Sequence, residues 1–278
     1  SGTYTRTVAN TSGCDSIITL NLIINPIPDS SSVISQANVG CNGGSNGSAT
    51  VAAYGGTTPY SYAWLPIGGN LATASGLIAG TYTCTISDAN TCSKAQIVTI
   101  TEPGVLTSAI SSQTNVSCNG ASTGSVTISA NGGTLPYAYS WSPAGGNAAT
   151  VTGLPAGIYS CTITDSSSCQ TVQTVVMTEP VVLATSVVSQ TDVSCNGAST
   201  GSVTVSANGG VGSYSYVWSP LGGTSATANG LTAGSYTCTI TDANSCSKTQ
   251  TVTIAEPGAI VSSISSQSNV SCNGTSTG

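Results

Sequence analysis

Apolar and polar residues alternate along this chain in short runs broken by Gly, Pro, Asn and Asp. The clearest run is Gly80–Ser87, where Tyr82, Cys84 and Ile86 alternate with Thr81, Thr83 and Thr85. A period of two puts one set on a buried face and the other in solvent, so the run reads as a half-buried strand. Asp88-Ala89-Asn90 follows as a turn, then Cys92, then a strand over 95–101 with Val98 and Ile100 inward. Upstream, a first strand ends near Val39-Gly40-Cys41, and Asn42 to Gly47 is its loop. A second strand covers 48–54. Its counterpart further on is cleaner, with Val126, Ile128 and Ala130 alternating with Ser125, Thr127 and Ser129. A third carries Tyr60, Tyr62 and Trp64 on one face, and one or two short edge strands are expected in 68–75. Glu102-Pro103 ends the set, because Pro cannot extend a central strand.

The whole pattern recurs every 77 residues: Cys41, Cys118, Cys195 and Cys272; Cys84, Cys161 and Cys238; Cys92, Cys169 and Cys246; Trp64, Trp141 and Trp218. A period of this length is one small domain rather than a solenoid unit. About seven short strands per period, with turn signals between them, predict a tandem array of immunoglobulin-like β-sandwiches in an all-β chain. Tyr82, two residues before Cys84 and just after the Leu77-Ile78-Ala79-Gly80 corner, resembles the tyrosine corner of such sandwiches. The expected core aromatics are Trp64, Trp141 and Trp218 with Tyr82, Tyr159 and Tyr236. The boundaries read as 1–27, the F–G hairpin of a preceding domain; 28–103, 104–180 and 181–257, three repeats; and 258–278, the start of a fourth. In the first stretch Gly2-Thr3-Tyr4 aligns with Gly80-Thr81-Tyr82, and Arg6 stands where Cys84 would.

Composition narrows the function. Only 4% of the 278 residues are charged, with three Lys and Arg together, no His and a net charge of −6. Three basic residues cannot neutralise a run of phosphates, which argues against nucleic-acid binding. No stretch approaches the ~18 consecutive apolar residues of a membrane span, so no membrane insertion is expected. The first residues do not form a signal peptide. Eleven cysteines in a Ser/Thr/Gly-rich β chain point to an oxidising, extracellular setting.

Catalytic chemistry finds little to work with. Ser–His–Asp and Cys–His mechanisms need a histidine, and a carboxylate pair needs two acids facing one cleft. An enzyme is therefore the least expected class. Zinc needs four close-spaced ligands, often including His, and Cys84 to Cys92 is too wide for a knuckle. Calcium wants six to eight oxygens. Each repeat offers carboxylates such as Asp88 and Glu102, but Asp88 reads first as a turn former, so no cofactor is expected and calcium stays open. A Lys–Asn cross-link fails because Gln170 stands where Lys94 and Lys248 stand in the other repeats. Asp15-Ser16-Ile17 resembles the O-glycosylation motif of Bacteroidetes, which makes Ser16 a candidate acceptor; the plain reading is a hairpin turn.

Val116-Ser117-Cys118-Asn119-Gly120, Gly124-Ser125-Val126-Thr127, Gly132-Gly133, Pro136-Tyr137, Trp141, Gly153-Leu154, Gly157-Ile158-Tyr159, Asp165, Cys169 and Thr178-Glu179-Pro180 together resemble the SprB repeat. The resemblance spans 29–278 in successive copies. It implies the very large cell-surface adhesins of Bacteroidetes, including gliding-motility adhesins exported by type IX secretion. It carries no binding site, because its motif is structural. It implies a Cys41–Cys92 pair within each repeat. The predicted topology objects: these cysteines fall at opposite ends of the sandwich, strand ends lie ~17–20 Å apart, and a disulfide needs Cα atoms within ~7 Å. Cys41–Cys84, Cys84–Cys92, or a bond from one repeat to the next (Cys41–Cys169, Cys118–Cys246) are the alternatives, so Cys41, Cys84, Cys92, Cys118, Cys161, Cys169, Cys195, Cys238 and Cys246 are all candidates.

The expected function is a non-catalytic repeat region of a secreted cell-surface adhesin, forming an extended stalk or filament whose partners are the neighbouring repeats. The alternative is that each repeat binds carbohydrate weakly and gains strength by multivalency; Tyr54 and the second face of the third strand are the exposed aromatic candidates such a site would use, and Tyr54 is absent from the other two repeats. Ice binding through Thr81, Thr83 and Thr85 is a third idea.

Overall fold

Val, Ile, Thr and Tyr fit the pleated, half-buried surface of a sheet, and in the computed structural model every alternating run is a strand. Residues 2–9, 11–269, 273–274 and 276 are described; Cys272 lies outside them. Among the described residues there are twenty strands and no helix, and hence no helix long and apolar enough to cross a membrane. β1 (Gly2–Ala9) and β2 (Asp15–Leu22) form an antiparallel hairpin. Ser16 is exposed and lies within β2, opposite Val8, rather than in the turn.

The first repeat comprises β3 (Pro28–Ala37), β4 (Gly47–Gly55), β5 (Ser61–Leu65), β6 (Thr73–Leu77), β7 (Gly80–Ser87) and β8 (Ser93–Ile100). One sheet runs β3-β4-β6 and the other β5-β7-β8, the A-B-E and C-F-G sheets of an immunoglobulin-like sandwich. The second repeat has β9 (Thr107–Thr114), β10 (Gly124–Asn131), β11 (Ala138–Ser142), β12 (Thr150–Leu154), β13 (Gly157–Thr164) and β14 (Gln170–Met177). The third has β15 (Ala184–Thr191), β16 (Gly201–Asn208), β17 (Ser215–Ser219), β18 (Thr227–Leu231), β19 (Gly234–Thr241) and β20 (Ser247–Ile254), and both keep the same two orders.

Each repeat therefore has six strands, not about seven. The 66–72 segment stays a loop because it folds against the tryptophan: the Trp64 N–H donates to Gly69 O at 3.2 Å and its indole Nε1 to Leu71 O at 2.9 Å. Gly68 sits at φ 136°, and a Cβ there would meet Trp64 Cβ at 2.8 Å. The first strand also stops at Ala37, short of Cys41, which lies in the loop that follows.

Two compact units divide the chain. One comprises Ser1–Ser112, Thr127–Thr150 and Tyr159–Val175; the other comprises Gln113–Val126, Val151–Ile158 and Val176–Gly278. In the first unit the core joins Val51, Trp64, Leu77, Tyr82, Ile86 and Ile100. In the second, Val205, Trp218, Leu231, Tyr236, Ile240 and Ile254 occupy the equivalent places. Trp141 and Tyr159 are likewise buried. The Tyr82 hydroxyl donates to Ile78 O at 2.9 Å and that of Tyr236 to Thr232 O at 3.1 Å, closing the tyrosine corner. Cys84 is opposite Trp64 in the sheet, as Cys161 is opposite Trp141 and Cys238 opposite Trp218. A small side chain at this position leaves room for the indole, and all three thiols are buried in the core.

Candidate functional site

Two loops per repeat carry the chemistry. The first follows strand A. Val39 N–H donates to Thr101 O at 2.9 Å, bringing the loop beside the end of β8. Asn42 Nδ2 then donates to Pro103 O at 3.0 Å, and the Gly43 amide to the Glu102 carboxylate at 2.6 Å. The same two contacts recur from Asn119 and Gly120 to Pro180 and Glu179, and from Asn196 and Gly197 to Pro257 and Glu256. Cys-Asn-Gly and Glu-Pro, far apart in sequence, are therefore two halves of one clamp that fixes the cysteine loop to the connector leading into the next repeat.

The second is the F–G turn. Asp88 is buried, and its Oδ1 accepts the amides of Asn90 and Cys92 while Oδ2 accepts that of Thr57, at 2.9–3.0 Å. Asp165 and Asp242 do the same in the later repeats. Burial pushes the Asp165 carboxyl up, but three backbone N–H donors (Thr134, Cys169 and Ser167) outweigh it and hold it below its ordinary value. The Val211 amide is the main cause of the same lowering at Asp242; burial opposes it, and the Cys246 and Asn244 amides add to it. The residue before each cysteine is left-handed without being glycine: Thr91 at φ 66°, Ser168 at 68° and Ser245 at 66°. Such a conformation persists where the surroundings over-determine it, and here the carboxylate and a bond between the Asp88 amide and Cys92 O at 3.0 Å do so. Glu102 belongs to the clamp and Asp88 to the turn, and no cluster of three or more metal-ligating side chains exists among the described residues.

The two loops meet between successive repeats. Cys41 is bonded to Cys169, and Cys118 to Cys246, each with a sequence separation of 128 and a Cα–Cα distance of 5.7 Å. Each pair lies wholly within one compact unit. The Cys169 sulfur rests 3.4 Å from Gly40 O and that of Cys246 3.5 Å from Ser117 O. Asn244 Nδ2 adds a hydrogen bond to Ser117 O at 2.9 Å. Pairing within a repeat is corrected. Cys84, Cys161 and Cys238 face the core and are unbonded, which removes Cys41–Cys84 and Cys84–Cys92. Cys92 is unbonded and half-buried, and Cys195 is unbonded and exposed. Burial pushes the Cys84, Cys161 and Cys238 thiols up, with a backbone hydrogen bond opposing it in each.

A family model described as "SprB repeat" matches residues 33–69, 110–146 and 187–223. These are SprB repeats. Each match covers the cysteine loop and the core tryptophan, and stops before the F–G turn. The donor half of every SprB-repeat staple therefore falls outside the matched segment. No curated protein matches the chain. Among solved structures, the chain is similar to the three N-terminal domains of the bacteriophage RB49 highly immunogenic outer capsid protein, at 14% identity and TM-score 0.42, over 82% of this chain and 100% of that one. It is similar to the N-terminal eight Ig domains of Down syndrome cell adhesion molecule, at 16% identity and TM-score 0.37, over 92% of this chain and 40% of that one. It is also similar to domains 1–6 of the surface layer protein SbsC, at 16% identity and TM-score 0.28, over 93% of this chain and 45% of that one.

Proposed function

We propose that these repeats form a load-bearing stalk in a secreted surface protein and hold an adhesive region away from the cell. The observation that carries this reading is the covalent bond from the Cys41 and Cys118 loops to the F–G turn of the repeat that follows each. A bond placed between repeats, rather than inside them, stiffens a junction. The clamp on Glu102-Pro103 and its equivalents ties that junction to the connector. Disulfides persist in an oxidising compartment, which fits an extracellular location, and the family resemblance adds gliding-type adhesins exported by type IX secretion as the context. The stalk reading assigns no catalytic group and no cofactor.

Multivalent polysaccharide binding has less support. Tyr54 is 52% exposed, but Asn131 and Asn208 end the equivalent strands, so the candidate aromatic is not repeated. Small-angle scattering in oxidising and reducing buffer tests the stalk. A rod that loosens on reduction is expected; flexible beads in both buffers would refute it. A chelator arm detects any calcium contribution, and glycan-array binding would favour the alternative.

A further inference from the structure

The clamp holds an asparagine, the glycine after it and a carboxylate in mutual contact. In the second repeat the Gly120 amide donates to Glu179 Oε2 at 2.6 Å. Asn119 Nδ2 donates to the other oxygen, Oε1, at 3.1 Å and to Pro180 O at 3.1 Å. One carboxylate therefore touches both the main-chain nitrogen that follows the asparagine and the nitrogen of its side-chain amide. The Gly43 amide meets Glu102 at 2.6 Å and the Gly197 amide meets Glu256 at 2.7 Å, with Asn42 and Asn196 held on Pro103 O and Pro257 O. Asn119 and Gly120 are exposed, so water reaches them.

An Asn-Gly pair can close a ring on itself: the glycine nitrogen, unshielded by a side chain, attacks the asparagine Cγ. That step needs room for the nitrogen to approach and a base to take its proton. The chain carries further Asn-Gly pairs in other settings: Asn46-Gly47, Asn131-Gly132, Asn208-Gly209 and Asn229-Gly230. A Cβ added at Gly43, Gly120 or Gly197 would meet nothing within 4 Å. One at Gly47 would meet Ile100 Cγ2 at 2.7 Å, and one at Gly132 or Gly209 would press on Val105 O or Val182 O. The Gly132 amide is taken by Asn131 Oδ1 at 2.9 Å. Asn229 and Gly230 lie inside β18, which pairs with β16. The clamp glycines thus combine open space with a carboxylate on the amide proton.

We propose that Asn119-Gly120, with Glu179 as general base, is an autocatalytic deamidation site, and that Asn42-Gly43 with Glu102 and Asn196-Gly197 with Glu256 are its equivalents. The Gly120 nitrogen attacks Asn119 Cγ, and its proton passes to Glu179. The new N–Cγ bond closes a cyclic imide. The Cγ–Nδ2 bond breaks, and Glu179 returns the proton to Nδ2, which leaves as ammonia. Water then opens the imide at either carbonyl, giving aspartate or isoaspartate. The product undoes its own site. A carboxylate at position 119 has no N–H for Pro180 O and stands beside Glu179, a like charge, so the clamp releases the connector next to Cys118. The reaction needs only the clamp, and it holds whether or not the repeats bear load.

The whole oxidised chain, kept in neutral buffer and sampled over days, tests this by peptide mass mapping with enzymatic detection of isoaspartate. The same chain, reduced and held in denaturant, gives the rate of each pair without structure. Asn42, Asn119 and Asn196 are expected to convert faster folded than denatured, and Asn46, Asn131, Asn208 and Asn229 more slowly. Glu179→Gln keeps an acceptor for the Gly120 amide but removes the base. It should slow Asn119 about 100-fold, the lower end of what a general base contributes, with Asn42 and Asn196 of the same chain unchanged. Clamp asparagines that react no faster than in the denatured chain, or no faster than the other four, overturn the proposal, and this comparison stands even where the variant misfolds. A folded Glu179→Gln chain in which Asn119 keeps its rate overturns it as well.

Discussion

Pulling a Cys246→Ser chain from its two ends separates the observed disulfide connectivity from pairing inside repeats. Reduced, the segment from residue 41 to residue 246 holds about 205 residues and, fully extended at roughly 3.5 Å per residue, reaches about 700 Å. Oxidised, the bond from Cys41 to Cys169 remains. The taut path crosses that bond and follows the chain to residue 246. It contains about 77 stretchable residues, so the segment stops at roughly 270 Å, plus one 5.7 Å crossing. Bonds inside repeats, each hiding about 51 residues, would leave two intact in this variant, with about 103 residues and roughly 360 Å. The substitution is needed because the two overlapping bonds of the unsubstituted chain allow a path back from Cys169 to Cys118, of about 51 residues and roughly 180 Å, the same limit as three bonds inside repeats. Single-molecule force extension with handles at the termini resolves these lengths. A loss of roughly 440 Å of extension on oxidation is expected. Equal lengths in both redox states, or the longer limit, would refute the connectivity and with it the load-bearing argument.

Three further outcomes follow from the same geometry. Iodoacetamide should label Cys92 and Cys195 in the native protein and leave Cys84, Cys161 and Cys238 untouched until unfolding, because burial both covers these three and raises their thiols; mass mapping checks this. Gly47→Ala places a Cβ 2.7 Å from Ile100 Cγ2 and 2.8 Å from Leu77 O, and overpacking of this kind costs about 1–3 kcal/mol, to be seen as faster hydrogen exchange in the first repeat with the third unaffected. The Asp165 and Asp242 carboxyls are lowered in the folded state, so their contribution is complete above the unfolded value of about 3.9 and is lost as pH falls through the folded one; exchange at the Cys169 and Cys246 amides should rise in acid while the sheets stay protected.

Much of the sandwich was legible because alternation reports directly on burial. Tyr82, Cys84 and Ile86 against their threonines needed no tertiary information, and the 77-residue recurrence of Trp64 fixed the unit. The 66–72 loop was less legible. Its residues do not exclude an edge strand; what decides is a bond from a tryptophan side chain to Leu71 O, which no local pattern encodes. The staple was harder still. Three cysteines per period leave several pairings open, and local rules place each cysteine without saying which repeat its partner belongs to. One usable signal lay in the sequence: Asn42-Gly43 and Glu102-Pro103 recur together in every repeat. That shared recurrence is what a loop clamped to the connector would produce, and it places Cys41 next to the following repeat.

The placement of the staple also explains why the cysteine opposite the tryptophan is spared. An immunoglobulin-like sandwich that ties its own sheets together needs a cysteine on strand B facing one on strand F. Here β4 offers Ala49 and Val51 inward, so Cys84 serves only as a small apolar side chain beside Trp64. The bonds that do form add nothing across either core. Each instead fastens a loop already held by Asn and Gly to a turn already held by a buried aspartate. Loss of one staple should therefore free a junction before it unfolds a sandwich, so reduction should change the force at which junctions yield well before it changes the exchange protection of β4 or β7. Simultaneous loss of both would show that the sandwiches depend on the bonds for their own stability.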